Sequence, residues 1–284
     1  MRHLLIPTLL LVLCGQPHPA AAQGKGQGRP KNPQVSSESG GGTGTGAATV
    51  STSQFRQFGV WLDDATTRAE GGGSVGIGVG YWRGNGASLV DIPMIDGSYA
   101  VHDRVQLGMN VPFYRSESSG TTSRGVDDMY FSGKIVLIDP ALKDARFGIA
   151  VIPVLEVLSP GFFEDRVHWA LPVSLEFRAT PVRVYGSTGY FSRGAVFGAG
   201  AVEWTSPAGT SLTFSLTHTA PTAEDTSGLT GGRSDFSVAV GRSLNDAASV
   251  YVGGGRTLSS PDETNKTSFA ISGGISFSFS AKTR

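Results

Sequence analysis

Polar side chains occur at alternate positions inside runs that are otherwise apolar in this 284-residue sequence. In one such run, Gln106 and Asn110 alternate with Leu107 and Met109. Successive side chains of a β-strand point to opposite faces, so these polar groups share one face. Charged groups of both signs around a common space would select which ions or solutes pass through it. The candidate pore-lining residues are Arg104, Gln106, Asn110, Tyr114, Asp128, Tyr130, Lys134, Glu156, His168, Glu176 and Arg178.

The same eleven residues have a second interpretation. These charged and polar side chains can pair with one another and fill a narrow interior, as side chains do in small barrels. We favour this filling role, and a role in pore selectivity is the alternative.

Catalytic chemistry has little support in the sequence. Beyond the first 22 residues the histidines are His102, His168 and His218, and no nucleophile motif surrounds them. No group of potential ligands has the spacing of a metal site, and no glycine-rich phosphate loop precedes a helix. We therefore predict no catalytic, metal or cofactor-binding residues and no cofactor, although a lipid hydrolase using serine and histidine remains an alternative.

The first 22 residues have the layout of a secretory signal peptide. A basic start at Arg2 precedes the apolar run 4–13, and the small residues 20–22 mark the expected cleavage site. The apolar run is shorter than the ~20 residues that a membrane-spanning helix needs. Cys14, the one cysteine of the sequence, lies in this peptide, so the mature chain should contain neither a thiol nor a disulfide.

Residues 23–72 are predicted to be a disordered linker. Residues 24–52 are rich in Gly, Ser and Thr and cannot bury enough apolar surface to offset the entropy of ordering. Residues 54–68 are ambiguous, because Phe55, Phe58 and Leu62 fit a helix face while Phe58, Val60 and Leu62 fit a strand. A short plug and an additional periplasmic strand are both open for this stretch.

From residue 73 to residue 284 the hydrophobic period is two. In residues 167–178 an apolar residue occupies every second position, and about twelve such runs follow one another. Most approach the ~9 to 11 residues of a tilted transmembrane strand. The fold class is therefore predicted to be all-β, as a transmembrane antiparallel up-and-down β-barrel of about twelve strands.

The connections between the runs largely alternate in length. Compact turns such as residues 180–181 and 245–247 alternate with longer polar segments such as 117–125 and 220–233. Short periplasmic turns and longer extracellular loops are typical of outer-membrane barrels. An even number of strands then places both chain ends in the periplasm, and the expected location is the bacterial outer membrane.

One hairpin resembles a known family. Residues 96–114 (DGSYAVHDRVQLGMNVPFY) are similar to the "YGLTDRLELGVSLPY" hairpin of the putative MetA-pathway of phenol degradation family of outer-membrane proteins. Residues 125–137 (GVDDMYFSGKIVL) are similar to its "GLGDLSLGLKYRL" strand, and the similarity extends over about residues 73–158. The resemblance implies a transport or channel protein, with a loose link to aromatic hydrocarbons.

Composition limits the function and the partners. Lys plus Arg and Asp plus Glu number 23 each, which argues against a nucleic-acid-binding protein. The expected partners are outer-membrane lipid and lipopolysaccharide, the barrel-assembly machinery and an unidentified small-molecule solute. The sequence thus predicts a channel for passive passage of small solutes, including hydrophobic or aromatic ones. A non-transporting structural or surface-exposed barrel is the main alternative.

Overall fold

The computed structural model describes residues 62–84, 87–118, 121–140, 146–159, 166–192, 194–222, 232–260 and 266–280. The predicted signal peptide and most of the predicted linker lie outside these residues. Within the described ranges, no helix is long and apolar enough to cross a membrane. The described strands are β1 (Gly73–Gly84), β2 (Ala87–His102), β3 (Val105–Ser118), β4 (Thr121–Val126), β5 (Met129–Ile138), β6 (Phe147–Val151), β7 (Val154–Val157), β8 (Val167–Ala179), β9 (Val182–Phe191), β10 (Ala195–Thr205), β11 (Thr210–Pro221), β12 (Arg233–Ser243), β13 (Ala248–Ser259) and β14 (Phe269–Phe279).

The strands form one closed antiparallel barrel. The first strand pairs with the last from Gly73 opposite Phe279 to Arg83 opposite Phe269, and this pairing closes the sheet. Both β4 and β5 pair with β3 at different heights, so they are two parts of one barrel strand. In the same way β6 and β7 both pair with β5 and β8. The fourteen described segments therefore make twelve barrel strands, and the predicted fold class and strand number are confirmed.

A proline accounts for one of the two strand interruptions. Between β6 and β7 lie Ile152 and Pro153, and a proline has no N–H with which to continue the ladder. Its carbonyl still accepts a hydrogen bond from the Gly133 N–H at 2.9 Å, and the Ile152 N–H donates to the Pro172 carbonyl at 2.9 Å. The barrel wall therefore continues across the interruption without a full strand.

The polarity of the barrel is inverted relative to that of a soluble protein. In β8 the apolar residues Trp169, Leu171 and Leu175 are 52%, 46% and 46% exposed, whereas Ser174 and Glu176, on either side of Leu175, are buried. The same alternation repeats around the barrel, with large apolar side chains outside and polar side chains inside. A soluble protein of this size would bury its large apolar side chains. Such an outer surface matches the hydrocarbon layer of a membrane.

The loops only partly follow the lengths expected from the sequence. Residues 117–125 were expected to be a long loop, but β3 runs to Ser118 and β4 begins at Thr121. These strands are paired up to Ser118 opposite Thr121, so backbone pairing continues through a stretch of polar side chains. The other end of the barrel has tight turns as predicted. One of them contains Gly209 at a φ of 75°, a left-handed backbone that favours glycine.

Candidate functional site in the barrel lumen

Most of the predicted pore-lining residues lie inside the barrel. Arg104 is the exception, because it lies in the β2–β3 turn with an exposed side chain. Asp128 lies in the interruption between β4 and β5, where its carboxylate accepts the Ser159 N–H at 2.6 Å. The other nine follow the inner-face alternation of β3, β5, β7 and β8: Gln106, Asn110, Tyr114, Tyr130, Lys134, Glu156, His168, Glu176 and Arg178.

A segment from before the first strand crosses this interior. Residues 62–72, here named the lumenal segment, contain no strand, and residues 62–67 are buried. Leu62 packs against Tyr185 of β9 and Ala201 of β10. With each interrupted strand counted once, β9 is the seventh barrel strand, which is half of twelve away from β1. The segment therefore extends from β1 to the opposite wall.

The length of the segment fits the width of the barrel. Twelve strands about 4.8 Å apart and tilted by about 40° enclose a backbone cylinder of roughly 24 Å diameter. Side chains occupy part of that width, and about six extended residues cover roughly 20 Å. The lumenal segment is thus long enough to cross the lumen, and it does so at the end where the tight turns lie.

Lys134 anchors the buried half of the lumenal segment. Its ammonium group donates to Asp63 Oδ1 at 2.9 Å, to Asp64 Oδ1 at 3.0 Å and to the Thr66 carbonyl at 3.1 Å. The Lys134 side chain is 1% exposed and both aspartate side chains are 0% exposed. All three N–H donors of the ammonium group therefore have acceptors on this one segment.

The opposite wall supplies a second cation. The Arg183 guanidinium donates to Asp64 Oδ2 at 2.8 Å and to Glu203 Oε2 at 3.1 Å. Glu176 lies 3.6 Å from the same guanidinium and also pairs with Arg178. The segment's two aspartates therefore connect Lys134 on one side of the lumen with the ion pairs of β8, β9 and β10.

Backbone contacts hold the rest of the segment. The Ala65 N–H donates to Glu176 Oε2 at 3.0 Å, and the Ala65 side chain packs with Val136 and Ala150. Nearer to β1, the Arg68 N–H donates to Gln106 Oε1 at 3.2 Å. The barrel wall thus contacts this segment at several successive residues along its length.

The electrostatic environment keeps Asp64 ionised. Burial alone raises the pKa of Asp64, but the nearby Lys134, Arg183 and Arg178 cations together lower it more, so the pKa lies well below the usual aspartate range. Burial also lowers the pKa of Arg68 on the same segment to about 10, which leaves Arg68 charged at neutral pH.

The pH dependence of docking follows from the lowered pKa of Asp64. A depressed folded pKa stabilises the docked segment fully above the unfolded aspartate value of about 3.9, and this stabilisation is lost as the pH falls towards the folded value. We expect the segment to stay docked from about pH 8 to pH 5 and to be released only in stronger acid. The mobility of a spin label on Ala69→Cys, an exposed position, measures this. A mobile label already at pH 6 would contradict the Asp64 anchor.

Several lumenal residues were not predicted from the sequence, for different reasons. Arg183 and Glu203 lie between outward apolar neighbours, so the period-two pattern contained the signal that they point inward. Asp63 and Asp64 had no such signal, because their partner Lys134 is 71 and 70 residues away along the chain.

At the loop end of the barrel a second polar cluster lines the interior. Trp82 Nε1 donates to Thr267 Oγ1 at 2.6 Å, and Arg233 Nη2 donates to the same hydroxyl at 3.0 Å. Arg233 also pairs with Asp235 at 2.8 Å. This cluster fixes β1, β12 and the approach to β14 to one another near the loops.

Two inner-face glycines of β1 make room for neighbouring side chains. The Asp96 carboxylate fills the space where a Cβ on Gly76 would stand, and the Tyr251 hydroxyl lies 2.7 Å from the Cβ position of Gly78. The glycines therefore admit side chains from β2 and β13 into the lumen near the seam where the barrel closes.

The comparisons with known proteins identify the fold. The KdgM porin is similar to this chain with a TM-score of 0.51 and 13% identity, over 73% of this chain and 99% of that chain. The NanC porin gives 0.54 and 9%, over 72% and 98%. KdgM in complex with disordered oligogalacturonate gives 0.51 and 12%, over 73% and 99%. No protein-family model and no curated protein matches the sequence, so the resemblance to the MetA-pathway family is not confirmed.

Proposed function

We propose that this protein is an outer-membrane channel for small solutes and that its own lumenal segment closes the turn end of the pore. The observation that carries the proposal is the inverted polarity of a closed barrel: charged side chains such as Lys134 and Glu176 are buried inside while large apolar side chains cover the outside. The fold shared with the KdgM and NanC porins supports it. Chain ends in the periplasm, as expected from the sequence, would place the closure at the periplasmic mouth.

The hydrophobic or aromatic solutes implied by the sequence resemblance have weaker support. An apolar cluster does line part of the loop-side interior, where the Phe191 and Phe197 rings lie 4.7 Å apart and pack with Ile152. This cluster fills space between the strand walls, and polar groups line the rest of the interior. We therefore propose small solutes without an aromatic preference.

In a barrel inserted into a membrane, a charge on the outer face lowers the free energy of unfolding by an amount that depends on its depth in the bilayer. Leu171→Arg introduces a cation at the middle of the outer face of β8, where Leu171 is 46% exposed. We expect a loss of about 2–4 kcal/mol in the free energy of unfolding in lipid vesicles, the cost typical of a cation at the bilayer midplane.

A matched variant controls for the substitution itself. Leu258→Arg places the same charge on the outer face at the loop-side end of β13, where the leucine is 55% exposed. Near the interface the expected cost is only about 0–1 kcal/mol. Equal costs for the two variants in denaturant titrations would argue against a membrane-spanning barrel.

Conductance across a planar bilayer tests the channel. The refolded protein without its signal peptide is compared with a form that begins at Gly71, which removes most of the lumenal segment but leaves β1 whole. We expect larger or more frequent channels from the shortened form. Equal conductance in the two forms would overturn the closure. If neither form produces channels, and heat-modifiable gel mobility confirms that both are folded, the alternative of a structural barrel with a filled interior is favoured.

A further inference from the structure

The interior on the loop side of the lumenal segment is acidic. Five buried inner-face carboxylates lie there, and Arg233, whose side chain is 11% exposed, is a cation beside them. Over these six side chains, one positive and five negative formal charges give a formal net charge of −4. These carboxylates belong to Asp91, Asp96, Asp127, Glu156 and Asp235, which are 5%, 3%, 8%, 5% and 2% exposed.

Three of these carboxylates follow one another on a single wall. Asp91 and Asp96 lie on β2, and Asp127 lies at the interruption between β4 and β5. The Asp127 N–H donates to the Pro112 carbonyl of β3 at 2.9 Å, which fixes this residue beside β3. We name Asp91, Asp96 and Asp127 the acidic wall.

Two side chains at the acidic wall, Asp91 and the neighbouring Asn110, have polar atoms without a hydrogen-bond partner within the described protein. Asp91 Oδ1 is buried and has no hydrogen-bond partner there. The side-chain amide of Asn110, opposite Asp96 in the β2–β3 register and 3% exposed, has no partner at either its nitrogen or its oxygen. Buried polar groups are nearly always satisfied, so these atoms require water or an ion in the lumen.

The barrel interior keeps a net negative charge when the lumenal segment leaves the lumen. The turn end of the barrel then keeps three cations, Lys134, Arg178 and Arg183, and two carboxylates, Glu176 and Glu203. Its net charge of +1 is small against −4 on the loop side. An open pore would thus carry a net negative charge overall, concentrated on its loop side, and negative walls raise the local concentration of cations.

We propose that the open pore is cation-selective, with the acidic wall as its selectivity-determining surface. This inference rests on the proposed channel function and names its solute class as small cations, with neutral solutes passing less selectively and anions repelled. Rings of Asp or Glu have this effect in cation channels because their negative charge attracts cations and repels anions.

Reversal potentials in asymmetric KCl test the proposal. They are recorded with the full mature chain carrying Asp63→Asn and Asp64→Asn, which release the lumenal segment. We expect K⁺ to be more permeant than Cl⁻ by about threefold or more. Adding Asp91→Asn with Asp127→Asn should lower this ratio towards one. The control Asp246→Asn, which removes an exposed charge from a turn, should leave the ratio unchanged.

The outcomes separate the two proposals. Channels that prefer Cl⁻, or a K⁺ preference that Asp91→Asn with Asp127→Asn does not change, would overturn the acidic wall as the selectivity surface and leave the channel standing. A correctly folded protein that shows no channels in any variant would overturn the channel function and the cation selectivity together.

Discussion

Replacing Asp63 and Asp64 by Asn is expected to open the channel. Each charged hydrogen bond contributes about 1.5–3 kcal/mol, and the two carboxylates lose their ionic contacts with Lys134 and Arg183. A loss of about 3 kcal/mol lowers the equilibrium constant for docking by roughly 100-fold. We therefore expect the open probability in planar bilayers to rise by about tenfold or more, towards that of the form beginning at Gly71.

The control for this experiment is a carboxylate at the other end of the lumen. Asp235→Asn also removes a buried negative charge, but Asp235 pairs with Arg233 and does not contact the lumenal segment. Its open probability should stay close to that of the unchanged protein. If Asp63→Asn with Asp64→Asn leaves the open probability unchanged while the barrel folds normally, the two aspartates do not hold the pore closed.

Lys134→Met is expected to cause the largest loss of stability. The substitution leaves the carboxylates of Asp63 and Asp64 buried without their shared ammonium partner. Removal of one partner from a buried ion pair costs about 3–5 kcal/mol. We expect this loss in the free energy of unfolding, or release of the lumenal segment where release costs less. Denaturant titration in vesicles and conductance together measure both outcomes.

A triple variant distinguishes the loss of ion pairing from a loss of side-chain packing. With Asp63→Asn and Asp64→Asn added to Lys134→Met, no unpaired carboxylate remains at these positions, so most of the lost stability should return. Arg104→Met, at an exposed cation of the neighbouring turn, should change stability by no more than about 0.5 kcal/mol. A loss in Lys134→Met that persists in the triple variant would argue that Lys134 acts through packing alone.

The barrel could be predicted from the sequence because its physical cause is local. A strand between lipid and a polar lumen must alternate, so Trp169, Leu171 and Leu175 indicate an outward face while Glu176 indicates an inward one. The strand number followed from counting such runs. The fourth and fifth barrel strands are each interrupted, but pairing with β3 and β8 continues on both sides of the interruptions.

The structure of the lumenal segment could not be predicted from the sequence, because its contacts are not local. The pattern around Leu62 fits a helix or a strand, whereas the structure contains neither at residues 62–72. The acidic pair Asp63 and Asp64 gives no local sign of its partners Lys134 and Arg183, which become neighbours only when the barrel closes. The ion pairs of Lys134 with Asp63 and Asp64 were therefore not predicted from the sequence.

The lengths of the loops predicted the strand ends less accurately than side-chain alternation predicted the strands. The polar residues 117–125 gave no hydrophobic pattern, yet β3 and β4 remain paired as far as Ser118 and Thr121. Backbone pairing extends these strands, and strands beyond the membrane need no apolar face. The same limit applies to any barrel whose strands project above the lipid.

The accessibility of Ala65 measures the central claim most directly. Ala65 is 0% exposed inside the barrel, and Ala65→Cys would be the single thiol of the mature chain after removal of the predicted signal peptide, which contains Cys14. A membrane-impermeant thiol reagent should modify it slowly in the otherwise unchanged protein and rapidly when Asp63→Asn and Asp64→Asn are also present. Rapid modification in the otherwise unchanged protein would contradict closure of the pore by the lumenal segment.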